Sequence, residues 1–374
     1  MENLMKKILF VLPSLAGGGA ERIASTVITK LHQEGVILTL ILFNKCGVYF
    51  DLIPKEIEII DLRKRNAFSI FFLIFKLYKI IRRRNPDVVV SFTQYSNIVT
   101  SFAFLFSKNR SRLVISERTN SGGYLTHQKY SYIKYLLMKI AYSNADNIIV
   151  ISKGIKKTLN KDFNIPMDKI TVIYNPIDLD NIVAMSLEEP VGSNNVFEEA
   201  QIVIGVGRLT KQKNFSLLIR SFAIVKSKMP GIKLVILGQG ELLAKLVLLV
   251  EELELDGCVH FPGFIKNPFS WVARSSVFVL SSDWEGFGNV ITESMACRTP
   301  VVATDCPSGP AEIIQDDTLG IVVPMNNEQA MAAAIFKLLN DKTYVDMVTE
   351  NAFNKLKRYE LSATVNRYWA EITG

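Results

Sequence analysis

Short apolar runs that read as strands alternate with stretches of helical periodicity along almost the whole chain, and this alternation restricts the fold more than any single motif. A first series comprises Lys6–Pro13, Val36–Phe43, Ile57–Leu62, Asp87–Phe92, Leu113–Ser116, Asn147–Ser152 and Ile170–Ile173. A second comprises Gln201–Val206, Lys233–Leu237, Val259–Phe261, Val277–Leu280, Pro300–Thr304 and Gly320–Val323. Parallel neighbours need a long crossover, usually a helix, so the pattern predicts mostly parallel sheets covered by helices. Tyr174-Asn175-Pro176-Ile177-Asp178 turns the chain out of the first series, and Leu187–Glu199, with acidic residues, Pro190 and Gly192, reads as a linker. The expected fold class is α/β, one architecture used twice: a domain over 1–178, a linker over 179–200 and a second domain over 201–355. In open α/β sheets ligands bind beyond the carboxyl ends of the strands. The glycine-rich and charged turns fall there, which predicts one shared cleft between the halves.

The richest of these turns is Asp283–Glu293. The strand-like run Ser276–Ser281 precedes it, and Val290–Ala296 reads as a helix opening beyond Gly286 and Gly288. A helix start presents N–H groups without intrahelical partners, and two glycines admit a phosphate close to the backbone. Glu285 and Glu293 are eight residues apart, about 12 Å on a helix at roughly 1.5 Å per residue. Carboxylates so separated do not share a proton; they suit two hydroxyl-bearing parts of one long ligand, such as the sugar and ribose of a nucleotide sugar. The bland alternative is a dipole-favoured acid and a solvated Glu.

The second series opens with another such turn, Gly207-Arg208-Leu209-Thr210-Lys211-Gln212-Lys213-Asn214, ahead of a helix Phe215–Lys228. The fork of Arg208 and the point charge of Lys213 can converge on a diphosphate, or form a solvated basic turn. Near the start, Gly17-Gly18-Gly19 follows the first strand. Arg22 stands where a dinucleotide fingerprint needs its third glycine, and the strand ending near Asn44 lacks the ribose-binding acid. NAD is therefore not expected, while a glycine loop framing a cleft is.

At 374 residues with 49% hydrophobic side chains, two domains with real cores are affordable. Cys46, Cys258, Cys297 and Cys306 have no paired spacing, and with three histidines a reduced, metal-free cytoplasmic protein is expected. Met1–Lys7 is polar and Ile8–Leu12 too short for a signal or span, so export is not expected. Residues 1–186 hold 26 Lys/Arg against 14 Asp/Glu, a net of +12; residues 187–374 hold 17 against 22, a net of −5. The first half thus faces something acidic. Phe68–Arg84 combines Phe, Ile and Leu with Lys76, Lys79, Arg82, Arg83 and Arg84; Lys129–Tyr142 combines Tyr130, Tyr132 and Tyr135 with Lys134 and Lys139. Both suit the surface of an anionic membrane, or a core-facing helix with a solvated basic end. Nucleic acid is not expected, because no reader motif accompanies the charge.

Gly207-Arg208-Leu209, Lys213, Gly263, the Glu285-x7-Glu293 spacing and Pro300-Val301-Val302-Ala303-Thr304 occur in an order that resembles family 4 of the retaining glycosyltransferases, with the GT-B fold. The resemblance covers nearly the whole length. It implies two Rossmann-like domains facing across a cleft and a closing element, 356–374, whose helix Leu361–Ile372 packs back on the N-terminal domain. It implies that Arg208 and Lys213 bind the donor diphosphate, Glu285 the transferred sugar and Glu293 the ribose. The backbone of Gly286, Phe287, Gly288 and Asn289 would hold sugar and phosphate, that of Ile265 would read the base, and Gly18 and Gly19 would close over the donor. Where many relatives carry a histidine near the reacting sugar, this chain reads Ser116-Glu117-Arg118-Thr119-Asn120. Glu117 or Arg118 would take part of that role or meet an acceptor phosphate; His127 is too loosely placed to assign. Asp305-Cys306-Pro307-Ser308-Gly309-Pro310 resembles relatives that add hexosamines or hexoses to lipid-linked saccharides of bacterial surface glycans. The implied partners are a UDP-sugar rather than a GDP-sugar, a polyprenyl-diphosphate-linked acceptor and the inner face of the membrane, with no metal. Two other functions fit the same fold, a nucleotide-sugar epimerase and a non-catalytic sugar-nucleotide-binding protein.

Overall fold

The computed structural model describes residues 6–16, 19–64, 70–107, 111–120, 131–193, 196–197 and 200–374. The chain divides into two compact units, Met1–Pro176 with Leu361–Gly374, and Ile177–Glu360. In the first, β1 (Lys7–Leu12), β2 (Ile37–Leu42), β3 (Glu58–Asp61), β4 (Val88–Phe92), β5 (Arg112–Glu117), β6 (Asn147–Val150) and β7 (Ile170–Val172) form an all-parallel sheet in the order β3-β2-β1-β4-β5-β6-β7. In the second, β8 (Ile202–Val206), β9 (Lys233–Leu237), β10 (Val259–Gly263), β11 (Val277–Leu280), β12 (Val301–Thr304) and β13 (Ile321–Val323) form another, in the order β10-β9-β8-β11-β12-β13. Every strand expected from the apolar runs is present. Runs such as Val88-Val89-Val90 and Val277-Phe278-Val279-Leu280 are wholly buried, which is why they show no polar alternation.

Both sheets reverse direction once. From β1 the chain steps outward to β2 and β3, then returns to the other side of β1 as β4; β8, β9, β10 and β11 repeat the move. Each reversal leaves a switch point at the carboxyl ends of two adjacent strands, where ligands bind in folds of this type. Right-handed crossovers then put the helix Gly19–Gln33 on one face of the first sheet. The helices Ile70–Arg84, Gln94–Ser107, Ser131–Ser143 and Lys153–Phe163 fall on the other.

The helix Leu361–Thr373 belongs to the first unit. Val365, Tyr368 and Ile372, at helical spacing, are buried in the core that contains Phe10 and Phe92. Phe92 stacks between Phe10, at 5.9 Å between centroids, and Tyr368, at 6.3 Å. The chain returns to this unit at Leu361, since the 3-10 turn Leu356–Tyr359 lies in the second unit. The second core packs Phe215, Leu218 and Phe222 of the helix Phe215–Lys228 with Leu234 and Ile236 of β9 and with Met331 and Ile335 of the helix Glu328–Asn340.

One departure concerns the expected linker. Its first eight residues, Leu179–Ser186, form a helix capped by Asp178, whose carboxylate accepts from the Asn181 N–H at 3.4 Å. A helix this short is marginal alone, and here it packs against the helix Phe269–Ala273, a contact the local sequence does not announce.

Candidate active site

The switch point of the second sheet gathers two loops. After β8 come Gly207, Arg208 and the single 3-10 turn Lys211–Lys213; after β11 come Ser281 to Gly288, then the helix Asn289–Ala296. Hydrogen bonds lace them together. The Asp283 N–H donates to the Gln212 carbonyl at 2.8 Å, Gln212 Nε2 to the Trp284 carbonyl at 2.9 Å, Asn214 Nδ2 to Asp283 Oδ1 at 2.8 Å, and Ser281 Oγ to the Lys213 carbonyl at 2.8 Å. Asn214 also caps the helix Phe215–Lys228 through its Oδ1, so one side chain starts that helix and ties the loops.

At the centre of this lattice Lys213 Nζ lies 2.6 Å from Glu285 Oε1, and Ser282 Oγ donates to the same oxygen at 2.7 Å. Ser282 is fully buried and is held from behind by Thr304, whose hydroxyl donates to the Ser282 carbonyl at 2.6 Å. The ion pair is not sealed, for the Lys213 side chain keeps 15% of its accessible surface and Glu285 10%. Gly207 makes room for it: a Cβ there would stand 2.9 Å from Lys213 Cε. Gly309, at φ 93°, lets the turn after β12 close on Phe287, whose carbonyl oxygen would be 2.1 Å from a Cβ. The Cys306 thiol beside them is pushed up to about 12 by burial, with the Glu285 charge as a second cause, and stays protonated.

The expected donor-site residues fall as follows. Arg208 is exposed at the end of β8, and no side chain among the described residues holds it. The ring of Phe287 turns inward, edge-on to Tyr359 at 5.5 Å, leaving its backbone in the loop. Gly286 lies in the same loop, and Gly288, at φ 94°, caps the helix that Asn289 begins. Glu293 is half-buried on that helix, and Ile265 is half-buried just past β10. Gly19 opens the first helix of the other unit, while Gly18, Gly17 and His127 lie outside the described residues. The 12 Å spacing does not apply to Glu285 and Glu293, because the helix begins only at Asn289 and Glu285 sits in the loop, joined to Lys213. Ser282 and Thr304 escaped the sequence reading. A serine and a threonine at strand ends are common, and only the tertiary contact singles them out.

Glu117 and Arg118 are both buried in the first unit. β5 runs to Glu117, so the carboxylate belongs to a buried strand end rather than a loop. It accepts from the Arg118 and Thr119 N–H groups, both at 2.9 Å, and from the Tyr142 hydroxyl. Burial raises its pKa despite those donors. Arg118 is also buried: its guanidinium donates to Asn175 and to the Tyr368 hydroxyl and lies over the Phe92 ring at 5.0 Å, and burial lowers its pKa. Together Glu117 and Arg118 anchor β5 to the helices Ser131–Ser143 and Leu361–Thr373.

Two family models match the chain: glycosyltransferase family 4 over residues 17–181 and glycosyl transferases group 1 over residues 188–355. Among curated proteins, the N-acetylgalactosamine-N,N'-diacetylbacillosaminyl-diphospho-undecaprenol 4-alpha-N-acetylgalactosaminyltransferase of Campylobacter jejuni is 33% identical over 366 residues, covering 94% of this chain and 97% of that protein. The chain belongs to glycosyltransferase family 4. This glycosyltransferase is also 28% identical to the lipopolysaccharide core biosynthesis glycosyltransferase LpsE of Rhizobium meliloti, over 91% of each chain. Among solved structures it is similar to HepE of Anabaena in complex with UDP and glucose, at a TM-score of 0.82 and 21% identity over 98% of each chain. That likeness establishes the GT-B fold.

Proposed function

We propose that this glycosyltransferase moves a hexosamine or hexose from a UDP-sugar, with retention, to a hydroxyl of a saccharide carried on a polyprenyl diphosphate, in the synthesis of a bacterial surface glycan. The observation that carries the donor half is the Lys213–Glu285 pair, locked between two loops at the switch point of the second sheet. The names of relatives support the rest: the Campylobacter enzyme acts on a diphospho-undecaprenol-linked sugar, and HepE was crystallised with UDP and glucose.

In this reading Arg208, Lys213 and the helix start at Asn289 offset charge on the leaving diphosphate, and no metal is needed. Glu293 takes the ribose, the Ile265 backbone the base, and Glu285 orients the sugar. The bond from the anomeric carbon to the diphosphate breaks while the acceptor oxygen bonds to that carbon on the same face. The hydroxyl proton passes to the departing diphosphate. Lys213 then shifts from its carboxylate partner towards phosphate oxygens, a partner exchange that leaves Glu285 available to sugar hydroxyls.

Calorimetric titration of UDP, GDP and NAD with EDTA present, repeated on Glu293→Ala, tests the donor half. UDP should bind, and bind more weakly to the variant. Binding of NAD alone, or of no nucleotide, would overturn the assignment. Near-normal turnover by Glu285→Gln would remove Glu285 from its role.

A further inference from the structure

The two loops at the switch point of the second sheet are joined by two side-chain pairs set side by side. Lys213 meets Glu285, and the next residue along, Asn214, meets Asp283 on the opposite loop. The proposed reaction uses the first pair and gives the second no task.

Asn214 answers three demands at once. Its backbone stands at φ 42° and ψ 48°, in the left-handed region, where the 3-10 turn Lys211–Lys213 ends and the helix Phe215–Lys228 begins. Its Oδ1 accepts from the Leu217 N–H at 3.3 Å and so caps that helix. Its Nδ2 donates to Asp283 Oδ1 at 2.8 Å and lies 3.4 Å from Asn326 Oδ1, in the turn after β13. Glycine offers the backbone without either bond, serine and threonine sit poorly in the left-handed region, and aspartate has no hydrogen to give. Among the residues that cap helices, asparagine alone meets all three demands.

This bond bears on Lys213. A lysine is a point charge on a flexible four-carbon stem, so the reach of its ammonium is set by where its backbone is held. That backbone is held on the carboxyl side twice: the Lys213 carbonyl accepts from Ser281 Oγ at 2.8 Å, and the following residue is pinned to Asp283. In the proposed reaction Lys213 leaves Glu285 for phosphate oxygens, and the tie that this ion pair makes between the loops is given up at that moment. The bond from Asn214 to Asp283 involves neither exchanging group and persists through the exchange.

We propose that Asn214 is a positioning residue, whose bond to Asp283 keeps the loops after β8 and β11 in register while Lys213 changes partner, and thereby fixes where the ammonium meets the diphosphate. This role rests on the proposed place of Lys213 at the donor diphosphate and names what sets its aim.

Calorimetric titration of uridine and of UDP into the full chain reads it, because uridine engages the base and ribose contacts without the diphosphate. The ratio of the two dissociation constants then isolates the diphosphate. Asn214→Gly keeps the left-handed backbone and the net charge but removes the side-chain bonds, and should lower that ratio about fivefold with uridine affinity unchanged. Asn214→Asp sets two carboxylates against each other and should lower it about thirtyfold. The swap Asn214→Asp/Asp283→Asn puts the donor on the other partner and moves the charge by one hydrogen-bond length; it should restore the ratio to within about threefold of the unaltered chain. Thermal melts show which variants are folded, and Asn214→Gly carries the test if Asn214→Asp is not. A ratio unchanged by Asn214→Gly, or a swap no better than Asn214→Asp, would overturn the proposal. So would uridine and UDP affinities that fall together, the mark of a helix cap and nothing more. If the unaltered chain binds no UDP, the proposed function fails and this role with it; UDP binding whose ratio ignores Asn214 leaves that function standing and removes the positioning role alone.

Discussion

Two pairs of oppositely charged residues stand at carboxyl ends of strands in this protein, and they behave in opposite ways. Lys213 and Glu285 come from loops after β8 and β11, touch each other at 2.6 Å and keep some access to solvent. Glu117 and Arg118 are adjacent in sequence at the end of β5, yet each is buried and bonded mainly to neutral partners, Tyr142 for one and Asn175 and Tyr368 for the other. Position at a strand end therefore does not fix how a charge is partnered. What distinguishes the first pair is that its two charges meet each other directly, across two loops.

The sharpest break of this comparison is Lys213→Ala. On the proposed function, loss of Lys213 should reduce kcat on the order of a hundredfold to a thousandfold, with a smaller fall in melting temperature because buried Glu285 keeps only the Ser282 hydroxyl as partner. A steady-state assay with a UDP-sugar beside a thermal melt separates the two effects. A large melting shift with turnover intact would reverse the contrast.

Glu117→Ala should do the converse, costing roughly 2–4 kcal/mol of stability by orphaning the Tyr142 hydroxyl and two backbone N–H groups. Denaturant unfolding measures it, and UDP affinity should hold wherever the protein is folded. The pH dependence sharpens the point. The folded-state pKa of Glu117 is raised above its ordinary value of 4.5, so the folded protein binds the extra proton. Its contribution to stability is complete below the unfolded pKa and is lost as pH rises through the folded one. Glu117→Gln should flatten that part of the stability curve.

Ser282→Ala is a smaller probe. Losing one hydrogen bond to Glu285 should cost about 1 kcal/mol, seen as a several-fold fall in kcat with KM nearly unchanged. A merely structural serine would lower stability and leave kcat per folded molecule alone. Smallest of all, Cys306, pushed up to about 12 and buried, should resist alkylation at mild pH, while exposed Cys46 reacts first. Peptide mapping after iodoacetamide would show the order.

Much of this was legible in one dimension. Strand positions followed from apolar runs, because a parallel strand buried on both faces leaves no polar residue to confuse the count. Arg208 and Glu285 stood out because charge beside glycine just past a strand is locally conspicuous, and Lys213 and Glu293 by their spacing from them. The end of β5 was less legible: the apolar run stops at Ser116, yet β5 continues one residue further, since Glu117 pairs with Val150 and its carboxylate finds donors in the interior. The exposed Leu105 and Phe106 went unnoticed, because an apolar helix end looks identical whether a neighbour covers it or not.

The sequence by itself determined the two series of strands and helices, the loops that carry charge and the uneven distribution of that charge. Those properties are local, set by periodicity, glycine placement and composition. Only the tertiary structure decided that Lys213 meets Glu285 with Ser282 and Thr304 behind it, that Glu117 and Arg118 are anchors, and that Arg84 is held by Glu58. Each of these joins residues far apart in the chain or turns on burial, and burial, which sets both the cost of a charge and the value of its partner, belongs to the folded chain alone.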